Sequence, residues 1–244
     1  AIIEDASHAL GTSYSDPVGK CAHSDMAVFS FHPVKTVASG EGGAVMTNNP
    51  ELNERLCRFR NHGMTRTAED FANTEMAFDT TGAANPWYYE MAEPGYNYRL
   101  TDIQSALGLS QLGKLGLFAK ERRRIVAHYD ERLADLAPRL RPISRTPGCT
   151  VAWHLYPVLF DFDELGLSRA EVMTRLRDMG IGSQVHYIPV SSQPYYTKLY
   201  GAQSLPGADA YYGRTLSLPL YPVMSGADVE RVAVALESIM GTTA

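Results

Sequence analysis

Cysteine is scarce in this chain: Cys21, Cys57 and Cys149 are odd in number, scattered and without a CxxC pair. Neither a zinc site nor a disulfide framework is indicated, and a reducing, cytoplasmic setting is the simpler expectation. Long apolar runs are also missing, none reaching the roughly 18 residues a membrane helix needs. There is no basic excess: 22 Lys and Arg stand against 27 Asp and Glu, a formal net charge of −5. That balance gives no electrostatic case for nucleic acid or an anionic membrane as partner. No GK[ST] P-loop, GxGxxG, HExxH or GxSxG occurs, and the seven histidines lack metal-ligand spacing, so no metal is expected. The chain starts Ala1-Ile2-Ile3-Glu4-Asp5, with no Met, polar lead-in or basic n-region. That start is unlike a signal peptide and like the middle of a buried strand, and the expectation is that an N-terminal part is missing.

What is present is ordinary globular composition: 244 residues, 45% hydrophobic and 20% charged, enough for one large domain or two small ones. Short apolar runs at residues 1–3, 26–31 and 44–47 predict strands, with Gly40, Gly42 and Gly43 marking a turn between the last two. Asn49-Pro50 predicts a helix start, with Leu52, Leu56 and Phe59 on one face and Gly63 at its end. Residues 64–95 show little periodicity and read as a long excursion. Thr101-Asp102-Ile103-Gln104 is a capping-box pattern opening a helix with Ile103, Leu107 and Leu112 expected inward. A second helix carries Ile125, Tyr129, Leu133 and Leu136 up to Pro138, with a break between the two at Gly113 or Gly116. Residues 151–160 and 181–190 predict strands. Capped helices are expected after Ser168 and near Ser225, the last carrying Val229, Val232, Leu236 and Ile239. The domains are expected at 1–115 and 116–244.

Lysine is limited to Lys20, Lys35, Lys114, Lys120 and Lys198. Lys35 stands out because it follows the apolar run Val28-Phe29-Ser30-Phe31 and precedes the glycine turn. A lysine at the end of a buried strand is partly desolvated, which favours the neutral, nucleophilic amine that attacks carbonyls. The competing reading is a side chain that snorkels from a strand end. Asp5 ends the first strand, where α/β folds place ligand-binding groups, and His8 follows it; a capping Asp is the alternative. Ser30 is placed to bond a phosphate, or is simply a strand serine. Trp87-Tyr88-Tyr89 offers stacking faces or packing. Asn97 and Arg99 precede a capped helix whose N-terminus favours anions.

Taken together, Glu4-Asp5-Ala6-Ser7-His8-Ala9-Leu10-Gly11, Phe29-Ser30-Phe31-His32-Pro33-Val34-Lys35 and Gly40-Glu41-Gly42-Gly43-Ala44 resemble the DegT-type nucleotide-sugar aminotransferases. Gly95-Tyr96-Asn97-Tyr98-Arg99-Leu100-Thr101-Asp102-Ile103-Gln104 and Leu218-Pro219-Leu220-Tyr221-Pro222 extend the resemblance along the chain. It implies an α/β fold-type I enzyme dependent on pyridoxal 5'-phosphate (PLP). Its large domain would be partial, with a mixed, mostly parallel sheet, followed by a smaller C-terminal α+β domain. Pro86-Trp87-Tyr88-Tyr89-Glu90-Met91 and Ala106-Leu107-Gly108-Leu109-Ser110-Gln111-Leu112 are most similar to the 4-aminotransferases of pseudaminic acid biosynthesis. That likeness implies glutamate as amino donor and a UDP-linked 4-keto-6-deoxy-N-acetylhexosamine as acceptor, yielding UDP-4-amino-4,6-dideoxy-N-acetyl-L-altrosamine.

By the same resemblance, Lys35 matches the Schiff-base lysine and Asp5 the aspartate on the pyridine nitrogen. His8 matches the residue beside the phenolic oxygen, and Ser30 a phosphate ligand. Asn97 matches a residue reaching the phosphate in the neighbouring subunit of a homodimer. Arg99, His186 and Tyr187 match substrate-facing segments. The chain falls short of the family's length by about a domain, which implies an exposed sheet edge. Two alternatives stand beside this reading. One is an inactive or dimerising fragment or pseudo-enzyme. The other is the related PLP sugar dehydratase, which carries histidine where this chain has Lys35.

Overall fold

The computed structural model describes residues 1–241. The chain divides into two compact units, one of Ala1–Leu10 with Asp16–Gly113, the other of Gly11–Ser15 with Lys114 onward.

The first unit is organised by a three-stranded sheet of β1 (Ile3–Asp5), β2 (Met26–Ser30) and β3 (Gly43–Met46), in that order. β1 runs parallel to β2, pairing Asp5 with Val28, and β3 runs antiparallel, pairing Ser30 with Gly43. The mixed sheet therefore brings the carboxyl ends of β1 and β2 to one edge. Burial alternates along β2, with Ala27 and Phe29 buried and their neighbours half-buried, as a pleated strand requires.

α1 (Pro50–Arg60) begins as its sequence predicts: the Asn49 side chain accepts the N–H groups of Glu51 and Leu52, and Pro50 occupies the first turn. The helix closes at Asn61 rather than at Gly63. Gly63 instead permits a close approach. It adopts φ +69, and a Cβ there would run into the Glu93 carbonyl oxygen.

The excursion that follows has more structure than its composition predicts. β4 (Met64–Thr65) pairs antiparallel with β5 (Glu90–Met91), and α2 (Thr74–Ala77) lies between them. Elements of two to four residues leave no periodicity to read, because side chain–backbone hydrogen bonds hold them. The Glu90 carboxylate accepts the N–H of Ala72 (2.5 Å), the N–H of Asn73 (3.3 Å) and the Tyr88 hydroxyl (2.8 Å).

α3 (Asp102–Leu112) carries both halves of the expected capping box between Thr101 and Gln104. Its apolar residues, however, do not face inward. Ile103 is 85% exposed, and Leu107 and Leu112 are exposed as well. The reason is the helix's seating: it meets its own unit through Gln104, which donates to the Glu41 carbonyl (3.1 Å), and through Gly108, which lies against Ser39.

The second unit contains α4 (Leu115–Arg132), β6 (Leu140–Pro142), β7 (Tyr156–Phe160), α5 (Phe162–Leu165), α6 (Arg169–Asp178), α7 (Pro194–Tyr200), α8 (Pro206–Arg214), β8 (Thr215–Leu218) and α9 (Gly226–Ile239). The chain breaks between α3 and α4 with Gly113 as the cap of α3. An antiparallel sheet ordered β6-β7-β8 carries Val158, Phe160 and Leu216 into a continuous core. α4 contributes Ile125 and Tyr129 to it, α6 contributes Leu176, and α9 contributes Val229, Val232, Leu236 and Ile239. Ser168 and Ser225 each cap their helix in a complete capping box.

Two strand expectations change here. The 151–160 strand is confined to β7, Thr150 pairing instead with Ser13. Residues 181–190 form no strand: a single bridge joins Gln184 to Ser217, and the ladder stops there. The apolar pattern is present, but among the described residues the continuous ladder beside that segment is the one β8 makes with β7.

Candidate active site

The chemistry gathers at the carboxyl edge of β1 and β2. Asp5 is the last residue of β1, and its carboxylate is held by the next turn. The Ser7 hydroxyl donates to Asp5 Oδ1 at 2.6 Å and the Ser7 N–H at 3.1 Å. These two bonds hold the Asp5 carboxyl below the usual carboxylate range; desolvation opposes them, and the charges of His8 and Lys35 add smaller lowering effects. Asp5 is therefore an ionised acceptor at neutral pH. Ser7 was not singled out from the sequence, although Asp5-Ala6-Ser7 has the spacing of an Asx turn.

Lys35 lies in the loop leaving β2. Hydrogen bonds from the Phe31 N–H to Gly42 O (2.8 Å) and from the Ser39 N–H to Phe31 O (2.9 Å) close this loop. Thr36, Val37 and Ser39 are buried beneath it, while Lys35 itself is half-buried. Gly42 is required in the closure: at φ +151, a Cβ would meet Ser39 Oγ at 2.7 Å and Leu100 Cδ1 at 2.8 Å. Gln104 braces the same loop through Glu41 O. Desolvation pushes the Lys35 amine below an ordinary lysine, and the Asp5 carboxylate opposes that shift. Asp5 and Lys35 thus act on each other's titration, and the His8 charge acts on Asp5.

Ser30 closes β2 on the same edge. Its oxygen receives the His32 N–H at 3.5 Å, and its hydroxyl proton has no acceptor among the described residues. Asn97 and Arg99 belong to a strand-like segment fastened to the end of α1. Asn97 bridges to Asn61, Tyr98 donates to Arg60 O (2.9 Å), and Arg99 Nη1 donates to Asn61 Oδ1 (2.5 Å). Both side chains are exposed.

His186 and Tyr187 belong to the second unit. There His186 Nδ1 meets Ser217 Oγ at 2.8 Å, and the Tyr211 hydroxyl donates to His186 O at 3.1 Å. Two concavities of the first unit, about 440 and 1050 Å³, are lined without Asp5, His8, Ser30 or Lys35.

An ionised carboxylate, a partly desolvated amine and a strand-end hydroxyl on one sheet edge are a donor set suited to a protonated pyridine nitrogen, an aldehyde and a phosphate. The comparisons with known proteins give the family. The profile of the DegT/DnrJ/EryC1/StrS aminotransferase family matches residues 1–237.

The chain belongs to that family.

It is 38% identical over 243 residues to SpsC, a spore coat polysaccharide biosynthesis protein of Bacillus subtilis, covering 98% of this chain and 59% of SpsC. Its structure is similar to that of Helicobacter pylori PseC, an aminotransferase involved in the biosynthesis of pseudoaminic acid. The TM-score is 0.85 at 31% identity, over 99% of this chain and 60% of PseC. It is also similar to Spr1654 of Streptococcus pneumoniae in its PLP form, with TM-score 0.81 at 27% identity, over 98% of this chain and 57% of that one. The chain thus spans about three fifths of the length of these relatives. Its fold is that of the fold-type I aminotransferases, a family that uses PLP.

Proposed function

We propose that this chain forms part of a PLP-dependent sugar aminotransferase that moves an amino group from glutamate to a nucleotide-linked 4-keto-6-deoxy sugar. The observation that carries this reading is the Asp5–Lys35 pair on the carboxyl edge of two parallel strands, one group ionised and the other partly desolvated. When bound, PLP supplies an aldehyde carbon that carries the amino group and a ring that accepts the electron pair left at Cα.

The residues do the rest. Asp5 would accept the pyridine N–H and keep that nitrogen protonated, which would make the ring a better electron acceptor. Lys35 would carry the proton between the substrate Cα and the cofactor C4′. By the family resemblance His8 would stand on the phenolic side of the cofactor, Ser30 would hold the phosphate, and Asn97 would serve the phosphate of a neighbouring subunit in a homodimer. The family resemblance gives Arg99 a substrate-facing role in the first unit, and it gives His186 and Tyr187 such a role separately in the second. Lys35 itself weighs against the dehydratase alternative, which carries histidine there.

Similarity to PseC and SpsC supports a sugar acceptor. Within that class we favour the UDP-linked 4-keto-6-deoxy-N-acetylhexosamine, on the segments 86–91 and 106–112. The test is amino transfer from glutamate to a panel of UDP-linked 4-keto sugars, read as 2-oxoglutarate released. Release that depends on a keto sugar is expected. Amination of plain α-keto acids alone would contradict the sugar assignment.

A further inference from the structure

We propose that Ser217 is a positioning residue for His186. Its hydroxyl donates to His186 Nδ1, which leaves the ring proton on Nε2 and presents that N–H to a neutral acceptor oxygen of the substrate. The role rests on the proposed sugar-aminotransferase reading, in which the family resemblance makes His186 substrate-facing.

Ser217 is a hydroxyl among apolar side chains. All four residues of β8 are buried, and Ser217, between Leu216 and Leu218, is 4% exposed. A hydroxyl withdrawn from water is costly unless it is bonded. The Ser217 backbone is already used: its N–H donates to Gln184 O (2.8 Å), and its carbonyl accepts the Gln184 N–H (3.2 Å). The side chain meets His186 Nδ1 at 2.8 Å.

The direction of that bond follows from a proton count. A neutral imidazole has one donor nitrogen and one acceptor, and the bond made at one nitrogen decides the state of the other. If Nδ1 carried the proton, Ser217 Oγ would accept it. The serine's own proton would then have no acceptor among the described residues. An imidazolium, donating from both nitrogens, would strand that proton in the same way. If Ser217 donates, one bond satisfies both groups, and Nε2 carries the ring proton.

The ring is also fixed in place. The Gln184–Ser217 bridge holds the chain two residues before it. The Tyr211 hydroxyl, on α8, donates to His186 O at 3.1 Å, and the Tyr187 ring stands edge-on at 4.7 Å. A neutral N–H held in one orientation discriminates between oxygens. Carboxylates are better matched by cations, whereas the hydroxyl, carbonyl and amide oxygens of a sugar suit a neutral donor. The effect should therefore fall on the sugar acceptor rather than on glutamate.

The test is long-range 1H–15N correlation NMR of the PLP-treated protein, with His186→Gln assigning the ring signals. Wild type should show Nδ1 unprotonated and Nε2 protonated. Ser217→Ala should lose that single pattern, Ser217→Thr should keep it, and Tyr211→Phe, which touches only the backbone carbonyl, should leave it unchanged. In steady-state transamination, Ser217→Ala should lower kcat/KM for the keto sugar about tenfold and leave kcat/KM for glutamate unchanged, with threonine restoring the loss.

A protonated Nδ1 in wild type overturns the proposal whatever the variants do. So does a ring pattern that ignores Ser217→Ala, or an equal loss for both substrates. The expected ring pattern in a protein that aminates no keto sugar refutes the aminotransferase reading and leaves the Ser217–His186 pairing standing.

Discussion

At the residue scale, the site depends on a sign. The Asp5 carboxylate favours the Lys35 ammonium, whereas desolvation disfavours it and is the larger effect. Removing the negative charge should therefore lower the Lys35 pKa further, not restore it. In Asp5→Asn, the pH at which Lys35 reacts half-maximally with an amine-selective reagent should move down, as read by mass spectrometry of the Lys35 peptide. An unchanged or higher pH would contradict a charge interaction between the two groups. In transamination assays, Asp5→Ala should cost about a hundredfold or more in kcat, because an uncharged ring nitrogen is a poor electron sink. Asp5, His8, Ser30 and Lys35 were legible as residue types before the fold was known. Ser7 was not, because a serine two residues after an aspartate is too common to mark a site.

At the element scale, the most informative side chain is Gln104. It closes the α3 capping box and braces the Lys35 loop through Glu41 O. Gln104→Ala should cost about 1 kcal/mol of stability and also weaken PLP binding. Ser168→Ala, which breaks a comparable box on α6, should cost a similar amount and leave PLP binding unchanged. Equal PLP affinity in both variants would show that the brace does not matter.

Helix starts were the most legible elements, because Asn49, Thr101, Ser168 and Ser225 each bond the backbone within three residues. The 64–95 excursion and the 181–190 segment were misread for opposite reasons. The first hides real structure in Glu90 hydrogen bonds that leave no periodicity. The second has a strand's pattern, but only one bridge joins it to a neighbouring strand.

At the scale of the whole molecule, the two units differ in how they are held. The second has a continuous core running from Ile125 to Met240. In the first, the buried apolar residues are Ala6, Ala27, Phe29, Val37 and Ala77. Amide exchange should therefore be slower across β7, β8 and α9 than across β1 to β3. Leu236→Ala should cost about 2–5 kcal/mol of the second unit's stability. Uniform protection would contradict that division.

The exposed face of α3, with Ile103, Leu107, Leu109 and Leu112 uncovered, is a large apolar patch of the kind that marks association. Leu109→Glu should weaken self-association in sedimentation experiments if the proposed homodimer uses that face.

All of this depends on Lys35 being the group that takes the cofactor. The direct measurement is to add PLP, record the visible absorbance band, reduce with borohydride and map the modified peptide, with Lys35→Ala beside it. The account predicts one stable label at Lys35 that is absent from the variant. A label elsewhere, or no label at all, would contradict it.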